Sequence, residues 1–221
     1  SQQFGTYSAY TATQAVLAIR NIPEITFGLY GVDTADLLKM TGSDYWAAWD
    51  AYKPSGTALV REWKRKIDAP RNTRAIVREP LLDAEGDALA PGVYYLQASA
   101  PGLKDARPPR QLIVRTDLNV TLKAGATDAL AWVTDLKTGL PVPGVTVRFA
   151  GGLNDLVATT DRDGVAQVAL TKARNTWDGF IAVASGPAGQ FGVASVTWQD
   201  GISPWEFGVA AGGEQRQYVG Y

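Results

Sequence analysis

The segment from residue 139 to residue 170 constrains the fold more than any other part of the chain. Residues 145–149, VTVRF, alternate apolar and polar side chains, which is the pattern of a half-buried strand. A loop at 151–155 follows, and Asp163-Gly164 then forms a second turn signal before another apolar run. Asp-Gly is typical of short hairpins because Gly adopts positive φ freely. The segment therefore predicts paired strands of a β-sandwich with a mechanical or adhesive role.

Length and composition favour two soluble domains. The chain has 221 residues, of which 46% are hydrophobic, and a formal net charge of −1. Domains of about 100 to 150 residues are the commonest size, and no run of about 20 apolar residues is present to cross a bilayer. The one basic cluster, residues 61–66, is interrupted by Glu62 and Trp63 and predicts an edge or solvated strand. A nucleic-acid partner is therefore not expected.

The absence of two residue types limits the chemistry. The sequence contains no His and no Cys, which excludes a His-based triad, a thiol nucleophile, the usual zinc ligands and any disulfide. Its carboxylates are scattered singly, so no pattern pairs an acid with a base. We expect no catalytic residue, no cofactor, no metal site and no enzymatic activity. The lack of Cys leaves the compartment open, since a sandwich of this size does not depend on disulfides.

The first half of the sequence predicts a sandwich with a helical insertion. Residues 1–12 show no period and are expected to be a lead-in, and 14–20 with 25–31 are expected to form a hairpin. Asp33 is a candidate N-cap for a short helical insertion near 33–53, which Pro54 ends. The remaining predicted strands are 61–67, 73–78, 92–99 and 110–115.

The second half predicts seven strands. They start at residue 118 and continue at 128–135, 145–150, 156–160, 165–170, 179–185 and 190–198. The polar tail after Gly201 suits a connection to a further domain, so the chain is expected to be part of something longer. A boundary near Asp117 would divide domains 1–116 and 117–221, and we expect proteases to cut first within 115–119 or in the tail.

Two aromatic groups are candidates for function. Tyr45, Trp46, Trp49 and Tyr52 could stack on a sugar, although packing against a sandwich or a neighbouring domain is the favoured interpretation. Trp198, Trp205 and Phe207 near the second domain's end are interpreted as a cover for an open edge or a domain contact. All seven are therefore predicted domain-interface aromatics.

Calcium binding is the other candidate site. Asp161 and Asp163 could supply carboxylates to a Ca²⁺ ion, but the loop lacks the further acidic ligands of a 12-residue calcium loop. An ordinary hairpin turn is the favoured interpretation.

The order of several short motifs resembles the macroglobulin-like domains of bacterial α2-macroglobulins. The motifs are APGVYYL at 90–96, KTGLPVPGV at 137–145, TDRDG at 160–164 and SPWEFG at 203–208. The resemblance covers almost the whole chain as two consecutive domains. It implies an all-β fold of two tandem immunoglobulin-like antiparallel β-sandwiches, the first with the short helical insertion.

The resemblance also implies a function. The parent protein would be a large periplasmic lipoprotein, anchored to the inner membrane, that inhibits a broad range of attacking proteases by trapping them after they cut a bait segment. Many members couple to the attacker through a Cys-Gln thioester, which this chain cannot form without Cys. Its own part would be a scaffold whose partners are neighbouring domains of the parent and, through the parent, target proteases.

Two other classes of function remain open. An immunoglobulin-like stalk of a bacterial surface adhesin would use the same strand pattern, but such stalks repeat one module, whereas these two halves differ in sequence. A carbohydrate-binding module would depend only on the aromatics at 45–52.

Overall fold

Alternating side chains put more than half of the described residues into β-strands. The computed structural model describes residues 4–40, 45–101, 108–151, 154–173 and 179–196, and only the backbone at 40, 45 and 46. The strands are β1 (Phe4–Ser8), β2 (Gln14–Arg20), β3 (Glu24–Val32), β4 (Leu59–Lys66), β5 (Arg74–Pro80), β6 (Gly92–Ser99), β7 (Arg110–Thr116), β8 (Leu118–Ala124), β9 (Asp128–Asp135), β10 (Thr146–Gly151), β11 (Asn154–Thr159), β12 (Val165–Ala169), β13 (Phe180–Ser185) and β14 (Phe191–Val196). Two helices, α1 (Thr34–Met40) and α2 (Tyr45–Ala51), lie between β3 and β4.

The first sandwich packs a two-stranded ribbon, β2-β5, on a five-stranded sheet of order β1-β7-β6-β3-β4. Phe27 and Leu29 of β3 are fully buried between these layers, together with Ile113 of β7. The Phe27 ring stacks on Trp63 of β4 with their centroids 5.2 Å apart. Strand β4 has a single neighbour, so the prediction that the basic cluster at 61–66 lies on an edge strand is confirmed.

The second sandwich has two antiparallel sheets, β11-β10-β13-β14 and β12-β9-β8. Phe149 of β10 and Phe180 of β13 are fully buried between them, with ring centroids 6.5 Å apart. At one side the sheets approach closely at Gly192, where an added Cβ would lie 2.8 Å from Val120 Cγ2 and 2.9 Å from the Leu118 carbonyl oxygen. A glycine is therefore needed for β14 to meet β8.

The helical insertion forms as its capping residue predicted. The Asp33 carboxylate accepts a hydrogen bond from the Asp36 backbone N–H at 2.7 Å, which satisfies one of the free donors at the start of α1. Asp36 then pairs with Lys39 one turn later at 2.9 Å. Both helices are only seven residues long, so packing on the sheet must supply most of their stability.

Two expectations for the first sandwich are wrong. Residues 4–8, expected to be part of a lead-in, form β1 and pair in parallel with β7. Residues 14–20 and 25–31 do not form a hairpin, since β2 pairs with β5 and β3 pairs with β4 and β6. The link between them carries the chain from one layer of the sandwich to the other, with Asn21 in the left-handed region at φ 58°. Residue spacing alone does not distinguish this crossing from a hairpin.

The Asp163-Gly164 turn also differs from the expectation. Strand β11 before it pairs with β10, and β12 after it pairs with β9, so the turn joins two sheets rather than two paired strands. Gly164 has φ 75°, as the motif predicted. A Cβ there would lie 2.4 Å from the Val133 carbonyl oxygen, which makes glycine necessary for packing as well.

The predicted fold class is confirmed. The described residues form two immunoglobulin-like β-sandwiches with a short helical insertion in the first, and every strand pairing except β1 with β7 is antiparallel. Seven strands, β8 to β14, make up the second sandwich, as the sequence predicted.

Candidate functional site

A third apolar cluster lies outside both sandwich cores. It joins the outer face of the five-stranded sheet, the helical insertion, and the outer face of the β10-β13-β14 sheet. We call it the interface cluster. Its buried members are Leu37, Trp49, Val93, Tyr95, Leu112, Val114, Ile181 and Val183. Strands β6 and β7 are therefore buried on both faces, and this explains their nearly continuous apolar runs, VYYLQA and LIV.

The aromatic residues of the insertion pack on one tyrosine of β6. The ring centroid of Tyr95 lies 5.5 Å from Trp49 and 5.2 Å from Tyr52, both in edge-to-face geometry. Trp49 is only 4% exposed and Tyr95 only 2%. Burial raises the pKa of both tyrosine hydroxyls, so they stay neutral.

Arg110, at the start of β7, fastens α2 to the sheet. Its guanidinium lies 5.2 Å from the Trp49 ring centroid and forms an ion pair with the Asp50 carboxylate. It also donates to the Asp50 carbonyl oxygen at 3.4 Å. The Trp49 indole Nε1 is buried and has no hydrogen-bond partner among the described residues. The contact therefore combines favourable ring and charge interactions with one unsatisfied donor.

A single residue joins the two sandwiches, and several hydrogen bonds fix its position. Asp117 separates β7 from β8, and its carboxylate accepts from the Phe191 backbone N–H at 2.8 Å. The Asp117 backbone N–H donates to the Phe191 carbonyl oxygen at 3.2 Å. Thr116 Oγ1 donates to the same oxygen at 2.7 Å. These bonds tie the joint to β14, and the early proteolysis expected within 115–119 stays a prediction.

Arg115 beside the joint is a buried cation. Its guanidinium donates to the Thr13 hydroxyl at 2.7 Å and to the carbonyl oxygens of Thr11 and Ala9 at 3.3 and 2.6 Å. These acceptors all belong to the segment that leads from β1 to β2. Dipolar oxygens thus replace much of the hydration that the charge loses on burial.

Two motifs of the second sandwich are connected through one hydroxyl. Thr160 is buried, and its Oγ1 accepts from the Val145 backbone N–H at 2.9 Å and donates to the Val142 carbonyl oxygen at 2.7 Å. The TDRDG and LPVPGV segments are therefore in contact. The next residue, Asp161, accepts from the backbone N–H groups of Asp163 and Val165 at 2.9 Å each.

Asp161 thus stabilises the turn, but the turn joins two sheets and is not the hairpin turn that was favoured. Among the residues that the structure describes, no three His, Cys, Asp or Glu side chains lie close enough to hold a metal ion. In that same part of the chain, no helix has both the length and the apolar composition that crossing a membrane requires.

The predicted interface aromatics have different outcomes. Trp49 and Tyr52 lie in or against the interface cluster, and the burial of Trp49 is incompatible with its use as an open sugar-stacking surface. Tyr45 and Trp46 belong to α2, where only their backbone is described. The remaining three, Trp198, Trp205 and Phe207, lie outside the described residues. The role of the whole set at a domain interface stays a prediction.

Sequence reasoning missed the polar residues of this region. Arg110 and Asp50 lie 60 residues apart, and Asp117 and Phe191 lie 74 apart, so no local pattern connects either pair. The doubly buried strands β6 and β7 did carry a signal, since a continuous apolar run indicates burial on both faces.

Comparison with known proteins identifies the second sandwich. The family model described as the bacterial alpha-2-macroglobulin MG3 domain matches residues 115–214. No curated protein sequence matches this chain.

The fold of the chain is similar to solved alpha-2-macroglobulin structures. Native Escherichia coli alpha-2-macroglobulin spanning domains NIE-MG1 is 20% identical, with a TM-score of 0.63 over 82% of this chain and 87% of that one. The structure spanning MG0-NIE-MG1 is 18% identical, with a TM-score of 0.60 over 82% of this chain and 58% of that one. Salmonella alpha-2-macroglobulin reacted with methylamine is 16% identical, with a TM-score of 0.62 over 89% of this chain but 11% of that one.

At these identities the structural likeness shows a shared fold, and this chain spans only part of the longer proteins it resembles. The family-model match is limited to residues 115–214, which contain the second sandwich. Residues 115–214 therefore match a macroglobulin-like domain of bacterial alpha-2-macroglobulin, and the resemblance to this family predicted from the sequence is confirmed.

Proposed function

We propose that this chain is a non-catalytic scaffold segment of a bacterial alpha-2-macroglobulin that inhibits proteases by trapping them. The observation that carries the proposal is the interface cluster, which buries the outer faces of two sheets from successive sandwiches. A scaffold that must hold or transmit a movement needs such a contact, because each sandwich alone has a stability of only about 5 to 15 kcal/mol.

The details of the joint support this role. At the joint between the sandwiches, hydrogen bonds connect Thr116 and Asp117 to both backbone groups of Phe191. Arg110 further ties the insertion to the sheet on which the second sandwich packs. A stalk of independent modules would not require this set of contacts, since inter-domain motion is the usual behaviour where interfaces are small and polar.

The wider setting is part of the same proposal. We place the boundary between the two macroglobulin-like domains at 116/117, with neighbouring domains of the parent chain as direct partners and proteases as partners of the parent. The parent is periplasmic and attached to the inner membrane as a lipoprotein. Fractionation of cells that produce the tagged parent tests this location, and recovery in the cytosol would contradict it.

Protease shielding by the full-length parent tests the function. After reaction with the parent, a trapped protease should keep its activity on a small chromogenic peptide and lose it on a large protein substrate. The chain alone should neither inhibit nor bind the protease covalently. No shielding by the parent would refute the trap and favour the adhesin stalk.

A matched pair of substitutions in the parent tests the scaffold role. Val183→Asp places a charge in the interface cluster, where Val183 is 2% exposed. Val157→Asp places the same charge at a position on β11 that is 62% exposed. We expect the first variant to lose shielding and the second to retain it. Equal shielding by both variants would show that the trap function does not depend on the interface cluster.

A further inference from the structure

Basic side chains are concentrated at one end of the first sandwich. Residues 14–26 and 59–80, which contain β2, β4, β5 and their connections, carry eight Lys or Arg and four Asp or Glu. The rest of the sequence carries 13 basic and 18 acidic residues. The chain is thus nearly neutral as a whole, yet this end has a net charge of +4 and the remainder −5.

The outer face of the β2-β5 ribbon places two arginines directly opposite each other. Arg20 of β2 is the register partner of Arg74 of β5, and Arg78 faces Val16 further along the ribbon. All three arginines are exposed. Like charges at directly opposed positions destabilise an antiparallel pair. The ribbon therefore keeps a repulsion that an anion between the two guanidiniums would relieve.

The side chains of these arginines have no acidic partner among the described residues. In that part of the chain, no side-chain hydrogen bond or ion pair is formed by Arg20, Arg71, Arg74 or Arg78, whereas Lys64 and Arg65 of β4 pair with Glu24 and Glu79 at 3.5 and 3.9 Å. We call these four unpaired side chains the arginine face. They present planar guanidinium groups, which bind carboxylates in a bidentate manner.

A cavity opens beside the arginine face. It has a volume of about 450 Å³, and Arg20 and Arg71 lie in its wall. Three half-buried isoleucines, Ile19, Ile22 and Ile67, supply apolar surface. The site thus combines a pocket large enough for an aliphatic side chain with cations at its wall.

The two turns that form the cavity are locked to each other. Asn21 Nδ2 donates to Asn72 Oδ1 at 2.9 Å, and the Asn72 backbone N–H donates to Asn21 Oδ1 at 2.6 Å. Both residues lie in the left-handed region, at φ 58° and 63°. Contacts within the chain therefore fix the shape of the cavity, which lowers the ordering cost of binding.

The ribbon adds apolar surface between its charges. Val16 is 62% exposed and Ile76 is 47% exposed, both on the face that carries the arginines. Purely ionic ligands gain nothing from this surface. A polypeptide with alternating acidic and apolar side chains would use both features.

We propose that the arginine face and its cavity bind an acidic polypeptide segment whose apolar side chain enters the cavity while flanking carboxylates pair with Arg20, Arg71 and Arg74. Charge complementarity and the concave shape select this occupant. A flat anionic bilayer would meet the exposed charges but would leave the cavity unfilled. The binding surface is remote in sequence from the joint at 116–118, so its test is independent of the trap function.

The test measures binding of a capped pentapeptide, one isoleucine flanked by two glutamates on each side, to the full chain by calorimetry at low salt. We expect saturable one-to-one binding that weakens as salt is raised, because exposed ion pairs are screened. Replacing the glutamates with glutamines should abolish binding. Replacing the isoleucine with serine should weaken binding about tenfold, since the buried aliphatic group is lost.

Matched variants locate the site. Arg20→Gln with Arg74→Gln should weaken binding about tenfold, because each exposed ion pair contributes roughly two- to fivefold in affinity. Arg162→Gln with Lys123→Gln removes the same charge from the second sandwich and should leave affinity unchanged. Arg74→Gln alone should not lower the melting temperature, since it removes a repulsive pair. A purely structural role for these arginines predicts a lower melting temperature instead.

Three results would overturn the proposal. The first is equal peptide binding by the two double variants. The second is the absence of peptide binding to the unsubstituted chain. The third is stronger binding to phosphatidylglycerol vesicles that excess peptide does not displace, which would assign the surface to a membrane.

Discussion

Replacing Trp49 with alanine tests how much the helical insertion contributes to stability. Truncating a buried aromatic side chain costs about 3 to 5 kcal/mol where the surroundings cannot collapse. Trp49 is 4% exposed, and its ring contacts Tyr95 and the Arg110 guanidinium, so it falls in this class. Its Nε1 is buried without a partner in the described part of the chain, and removing an unsatisfied donor returns about 1 kcal/mol. We therefore expect Trp49→Ala to lower the free energy of unfolding by about 2 to 4 kcal/mol.

Urea unfolding followed by circular dichroism measures this change, and Trp132 provides the control. Trp132 of β9 is 42% exposed, so Trp132→Ala should cost about 1 kcal/mol or less. Trp49→Phe keeps a ring against Tyr95 and removes the unpaired N–H, so its loss should be smaller than that of Trp49→Ala. If Trp49→Ala and Trp132→Ala had the same effect, the insertion would not be packed as the structure shows.

Three further predictions concern the second sandwich. Gly192→Ala should destabilise by about 1 to 3 kcal/mol because its Cβ would press on β8, whereas Gly56→Ala, with nothing within 4 Å of an added Cβ, should have little effect in the same urea assay. Thr160→Val should cost about 2 to 4 kcal/mol, measured as a shift in the urea midpoint, because it leaves the buried Val145 N–H and the partly buried Val142 carbonyl oxygen without their partner. The hydrogen bond from Arg148 lowers the pKa of Asp155 in the folded protein. The pair therefore stabilises the fold fully above the unfolded-state pKa of 3.8. This stabilisation is lost as the pH falls through the lowered pKa of the folded state. Because the Asp155 side chain is 56% exposed, Asp155→Asn should remove only a few tenths of a kcal/mol at pH 7 and nothing at low pH, as judged by melting temperatures across that range.

Local patterns predicted most elements and few of their partners. The alternation at 128–135 and the apolar run at 92–99 give the bounds of β9 and β6 as the structure has them. Asp33 correctly predicted the start of α1. These signals depend on neighbours within a few residues, so a single sequence contains them.

Strand pairing could not be predicted in the same way. Strand β2 pairs with β5 rather than β3, and this choice depends on which apolar sheet faces must be buried. Strands β2 and β5 lie about 60 residues apart in the sequence. Likewise, the Asp163-Gly164 turn has the backbone that its sequence predicts, yet it joins different sheets. Turn chemistry determines local geometry, whereas the sheets are chosen by long-range burial.

The candidate interface was predicted in part through its aromatic residues. Trp49 and Tyr52 were recognised because they lie on one helical face, but their polar partners Arg110 and Asp50 were not. The sequence does not show whether a charged side chain is exposed to solvent or packs on an aromatic ring.

The two buried faces of β6 and β7 have a practical consequence for anyone who divides this chain. A cut at 116/117 separates two sequence modules but passes through a shared hydrophobic layer, leaving Val93, Leu112 and Val114 without their cover. A shortened protein ending at residue 116 would expose an apolar surface and tend to aggregate during expression. Exchanging either sandwich for that of another protein would succeed only if the residues that contact each other across this interface were exchanged together.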